Sequence, residues 1–174
     1  TTISDELHTI LLSNAKKIRR NKKLKTKNDY RKRLAGNLKE EYSYTDVFTK
    51  EETIKVREEL TWLASVYTMN SEKAINKNFS LKPNEINMLE PVWVNFMKSS
   101  EWNPAHSHTG DISCVIYLQV PEEIAQENKT SKSSNSSNTP SAGRIEFTYG
   151  DNIGFSNSGL MFQPQEKQIF LFPA

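Results

Sequence analysis

The chain has 174 residues and a mass of 20.0 kDa, enough for one domain with a core and short for two. Hydrophobic residues make up 36%, charged residues 25%, and mean hydropathy is −0.68, the profile of a soluble globular protein with polar loops rather than a disordered chain. Net charge is +2, and no apolar run approaches the roughly 18 residues that a membrane-spanning helix needs. The start has neither the basic region nor the apolar core of a signal peptide, and no Met, as in a trimmed chain. A single cysteine, Cys114, excludes an internal disulfide and fits a reducing cytoplasm.

Ser4 or Asp5 can cap a helix through LHTILLSNAKKI, with Leu7, Ile10, Leu11 and Ile18 on one face. His8 neighbours that face and reads as a packing residue rather than a ligand. Eleven of the twenty-three Lys and Arg residues then fall between Lys16 and Arg33, with Asp29 the only acid among them. Such a run is a solvated helix face or a surface for nucleic acid; with Tyr30 its only aromatic residue, it offers no stacking platform for single strands. A second helix is expected from about Thr49 to Asn70, with Glu51, Glu52, Glu58 and Glu59 outside and Val56, Leu60, Leu63, Val66 and Tyr67 inside.

After Pro83 the pattern changes to MLEPVWVNFMKS, DISCVIYLQVP, GRIEFTYGD and QIFLFPA, short β-branched and aromatic runs broken by turn formers, as in a sandwich or small barrel. Residues 122–143, rich in Ser and Asn, read as a flexible surface insertion; Asn128 and Asn135 begin formal glycosylation sequons there.

The segment WNPAHSHTGDISCVIYLQVP sets His106 and His108 two apart. On an extended strand both rings point to one side and can reach a common ion, and neutral imidazole suits first-row metals. Asp111 is the nearest carboxylate, but alternation does not bring it there; a turn at Thr109-Gly110 would have to. The competing reading is a polar loop with two exposed histidines.

Taken together, WVNFMKSSEWNPAHSHTGDISCVIYLQVP, the polar stretch, GRIEFTYG and FQPQEKQIFLFPA resemble the iron(II)/2-oxoglutarate-dependent oxygenase superfamily, in particular prolyl-hydroxylase-like oxygenases of the marine phage and bacterial type. RLAGNLKEEYSY is similar to that family's N-terminal helical region. The resemblance implies an α+β fold, a double-stranded β-helix of jelly-roll or cupin type. Residues 1–82 form its helical support, packed on one sheet, and residues 83–174 form its core, truncated at the C-terminus. It implies Fe(II), 2-oxoglutarate as cosubstrate and O2, with ascorbate as a further reductant. His106 takes the first ligand position. His108 stands where many relatives carry Asp, so either His108 or Asp111 supplies the second. The distal histidine and the Arg or Lys that pairs with the far carboxylate of 2-oxoglutarate are absent from the sequence, either because they lie past Ala174 or because a natural truncation has lost them, and without them the polypeptide is expected to be impaired.

Asn95, Ser113 and Tyr117 fall where relatives orient 2-oxoglutarate, against the plainer readings of sheet hydrogen bonds and a core aromatic. Trp93 alternates with Asn95 and walls the pocket or simply packs. Arg144, the only arginine of the β half, is out of place for the family's clamp and is expected in solvent. The implied activity is hydroxylation of a peptidyl proline or another protein side chain, with a small metabolite or nucleobase as other substrates, in a bacterial or, for a virus, host cytoplasm. The rival is a non-catalytic β-helix module with a vestigial metal site.

Overall fold

The computed structural model of the chain describes residues 1–75, 82–88, 92–130, 141–150 and 158–174. They form a mixed helix and sheet fold that divides into two compact units, one of residues 3–115 with 170–174 and a smaller one of residues 1–2 with 116–169. The described strands pair two by two, and no barrel closes among them.

In the larger unit α1 (Asp5–Arg20) contains the expected helix. The Ser4 hydroxyl accepts from the Leu7 N–H at 3.0 Å, Asp5 and Glu6 occupy the first turn, and Lys17, Arg19 and Arg20 the last, each sign complementing the helix dipole. Its buried face carries Leu7, Ile10, Leu11, Ala15 and Ile18, and His8 is buried beside them. This face packs on α3 (Lys50–Ile75), which buries Val56, Leu63 and Ala64. A reciprocal cap opens α3: Glu52 accepts from the Thr49 N–H at 2.7 Å, and the Thr49 hydroxyl accepts from the Glu52 N–H at 3.1 Å. The helix runs past the expected end at Asn70 because SEKAI contains neither glycine nor proline to stop it.

The basic run becomes part of a sheet. After α2 (Lys22–Lys27), Asn28 and Tyr30 bond the backbone of β1 (Glu41–Ser43): Ser43 N–H donates to the Asn28 carbonyl and Tyr30 N–H to the Glu41 carbonyl. The other edge of β1 pairs antiparallel with β2 (Trp93–Asn95), Glu41 opposite Asn95 and Ser43 opposite Trp93. No strand was expected at Glu41–Ser43, because EYS lacks the length and the β-branched residues that mark one.

Alternation sends Glu40, Tyr42, Val94 and Phe96 to the helix side of this sheet. Glu40, 8% exposed, receives Lys25 Nζ and Arg19 Nη2 at 3.0 Å each and Lys98 Nζ at 3.3 Å. Arg19 also lies over the Phe96 ring and Lys25 over the Tyr42 ring. Burial alone would raise the Glu40 carboxyl; the bonds from Lys25, Arg19 and Lys98 outweigh it and hold the group down at about 2. Lys27 pairs with Asp46 and Arg31 with Asp29, so much of the basic run answers acids of its own chain.

Strand β3 (Ile112–Ile116) pairs with β6 (Ile169–Pro173), and the Ala174 N–H reaches the Asp111 carbonyl at 3.3 Å. In the smaller unit β4 (Ile145–Thr148) and β5 (Gly159–Phe162) form an antiparallel pair with Phe147 edge-on to Phe162. Residues 122–130 of the stretch expected to be a flexible insertion form helix α4 (Glu122–Thr130) instead. Two acids in its first turn and Lys129 in its last favour that helix, and its Asn128 amide binds the Ala142 carbonyl at 2.7 Å and Gln163 at 2.8 Å. Asn128 is thereby held by its own chain rather than presented as a sequon; Asn135 lies outside the described residues. Gly143, at φ +62°, is required here, since a Cβ would stand 2.6 Å from Ile124.

Because the Glu40 carboxyl lies below its ordinary value when folded, its contribution is present above about pH 4.5 and is lost as pH falls toward 2. Glu40→Gln is expected to cost on the order of 2 kcal/mol in urea unfolding at pH 7, partial solvent screening of its three exposed partners included, with the gap to the parent chain closing between pH 4.5 and 2. A gap that stayed constant over that range would show that the three cations do not act through the charge of Glu40.

Candidate metal centre

The other side of the β1–β2 sheet carries Glu41, Ser43, Trp93 and Asn95, with Tyr30 beside Trp93 at 5.9 Å between ring centroids. His108 lies against this side, its ring nearly parallel to that of Trp93 at 6.3 Å. Phe172 of β6 meets His108 edge-on at 5.9 Å, so an aromatic ring from each of two sheets fixes the imidazole. Burial first, and the neighbouring His106 second, hold His108 below the usual histidine value, which favours the neutral ring a metal requires.

His106 is 4.8 Å from His108 between ring centroids and more exposed. Its Nδ1 stands 2.7 Å from the Pro104 carbonyl, a bond in which the ring must donate, leaving Nε2 with a free lone pair. A backbone carbonyl holding the distal nitrogen is the usual device for orienting a metal-binding imidazole.

The two rings come together as expected, but not by strand alternation. Residues 101–111 have no regular structure, and β3 begins only at Ile112. The juxtaposition comes instead from the turn at Pro104 and from the aromatic clasp on His108. Asp111 is exposed on the bend before β3, and among the described residues no three His, Cys, Asp or Glu side chains converge on one point. Gly110 has φ +103°, and the turn leads Asp111 into the start of β3 rather than back toward the rings. The donor set thus fits two positions of an iron site, with His106 oriented through its Nδ1, and a third protein donor is not among the described residues.

Asn95 is half-buried, and its side-chain oxygen is buried without a partner. Ser113 is half-buried on β3, on the opposite side of the strand from the exposed Cys114. Tyr117 belongs to the smaller unit, where its N–H donates to the Gln168 carbonyl and burial pushes its hydroxyl up to about 12. Arg144 is exposed, as expected.

Several residues that matter here carry weak sequence signals. Phe172 looks like any strand aromatic. Gly36, at φ +118°, lies against the histidine loop so closely that a Cβ would stand 2.0 Å from the Asn103 amide oxygen, and the Asn37 N–H donates to the Trp102 carbonyl. Only the glycine in LAGN hints at this contact.

Residues 91–174 match the sequence profile of a family described as "Putative 2OG-Fe(II) oxygenase". Neither curated proteins nor solved structures gave a match to the chain. The match supports the superfamily expected from the histidine segment and covers all four strands from β3 to β6, together with both histidines.

Replacing Gly36 by Ala should cost about 1–3 kcal/mol from the backbone conformation alone, and the clash with Asn103 should move the loop that carries the rings. The expected sign is a set of shifted His106 and His108 ring resonances in NMR spectra of a chain that still folds. Unmoved resonances would show that the loop is not braced by this contact.

Proposed function

We propose that this chain is an iron(II)/2-oxoglutarate-dependent dioxygenase that hydroxylates a peptidyl proline or another protein side chain, in the cytoplasm. The single observation that carries the reading is the pair of adjacent imidazoles, one with its Nδ1 held by a backbone carbonyl and the other held below the usual histidine value by burial, inside the segment that matches the oxygenase family.

In this reading His106 and His108 each offer a nitrogen to the iron. When bound, iron with 2-oxoglutarate and O2 supplies the oxidising chemistry, while the protein supplies position and exclusion of water. Trp93 and Phe172 hold His108 in one orientation and shield it. Asn95 and Ser113 offer polar atoms to orient the cosubstrate, Asn95 through its amide N–H groups, which can donate to a carboxylate. The β-helix implied by the family match is the architecture proposed for the strands.

The test is anaerobic titration with Fe(II) and 2-oxoglutarate, followed by the visible charge-transfer absorption of the chelate. The band is expected with a chain long enough to supply the third donor, and in it His106→Ala or His108→Ala should weaken metal binding at least about tenfold. A band unchanged in both variants would remove the histidine pair from the metal site, and with it this reading. Asp111→Asn should leave the band unaltered, because Asp111 does not converge with the two rings.

A further inference from the structure

Beside the histidines lies a carboxylate that neither the proposed chemistry nor the family match uses. Glu41 is 2% exposed, and its Oε1 has no hydrogen-bond partner among the described residues. Across the ladder stands Asn95, whose side-chain oxygen is equally buried and equally without a partner, and Glu101 presents a third such oxygen. Leaving a buried acceptor unmatched costs about 1–3 kcal/mol, more when it is charged, so two facing each other across one ladder form an expensive arrangement.

Among the described residues no cation bonds the Glu41 Oε1. Arg31, whose field reaches Glu41, is already bound through two nitrogens to both oxygens of Asp29. Lys25, Arg19 and Lys98 all lie on the opposite side of the sheet, on Glu40. Around Glu41 stand the Asn95 amide and two rings: Trp93 alternates with Asn95 on the same side of β2, and Tyr30, whose N–H bonds the Glu41 carbonyl, leans against Trp93 and carries the Arg33 guanidinium over its ring. Oxygen acceptors beside aromatic rings are complementary to a cationic nitrogen, which satisfies the former by donating and the latter through its charge.

We propose that Glu41, with Asn95 across the ladder and the Trp93 ring as a wall, receives the ammonium or guanidinium group of a basic side chain, and so defines the substrate of the adjacent histidine site as a basic amino acid, free or within a peptide. The inference deepens the oxygenase reading as to substrate, but its binding step needs no iron, so either can fail without the other. Burial pushes the Glu41 carboxyl above its ordinary value; Arg31 opposes this, and Asp29 and Glu101 add to it, so a carboxylate in this setting is poised to gain from an arriving cation.

The experiment is isothermal titration of the metal-free full chain with L-arginine and L-lysine, with their N-acetyl amides, and with L-citrulline and L-norleucine as neutral counterparts. Either basic ligand should bind at least about tenfold more tightly than its neutral counterpart, and Glu41→Gln should reduce that preference to near unity. Binding of the capped amides marks a peptide side chain as the source; binding of the free amino acids alone marks a metabolite. Glu41→Gln should also raise the Tm by about 2 °C or more, because it removes a buried unpaired charge, whereas a carboxylate serving only the fold would lower it. Equal binding of arginine and citrulline, no binding of either basic ligand, an unaltered preference in Glu41→Gln, or a lowered Tm would each overturn the proposal.

Discussion

Two consecutive glutamates, one just before a three-residue strand and one at its start, meet opposite fates, and the larger unit is organised around that difference. The pleat of β1 turns Glu40 toward α1 and α2, where three cations surround it, and Glu41 toward the histidines, where none does. On the first side a buried charge is matched, and it ties the end of α1, the middle of α2 and the segment after β2 to one point. On the second side a buried charge stands unmatched beside rings and amide oxygens. A slip of one residue in the pairing of β1 would exchange the two, burying Glu41 among the cations and leaving Glu40 at the site.

The imidazoles depend on this sheet indirectly. The loop that carries them has no regular structure of its own, so its geometry is set by what it touches: Trp93 and Phe172 at His108, the Pro104 carbonyl at His106, and Gly36 at Asn103. A site on a loop is as well defined as the rigid elements that brace it. Here the brace is the β1–β2 pair, pinned from behind by Glu40 and its cations.

The family match and the geometry speak to different things. The match covers residues 91–174 and brings an expected chemistry to the histidine segment. The residues before it, Tyr30, Gly36 and Glu41 among them, build the other half of the surroundings of those rings, and within the family match they have no counterpart. The chemistry expected of the family therefore rests on the matched segment, while the surroundings of the rings are shared between that segment and the N-terminal part of the chain.

Periodicity and capping determined the two long helices, since Leu7, Ile10, Leu11 and Ile18, or Thr49 with Glu52, are local patterns whose consequence is local. The spacing of His106 and His108 was enough to single out two rings that the structure places side by side. The sequence left β1, β5 and α4 unrecognised as elements, because a strand of three or four residues is stabilised by its partner rather than by its own propensity, and a short polar helix by the contacts of one asparagine. Which glutamate of the pair is neutralised, how the rings of His106 and His108 are held, and that Asp111 stays apart from them were decided only by tertiary structure. Each depends on partners far along the chain, Lys98 for Glu40 and Phe172 for His108, which no local pattern encodes.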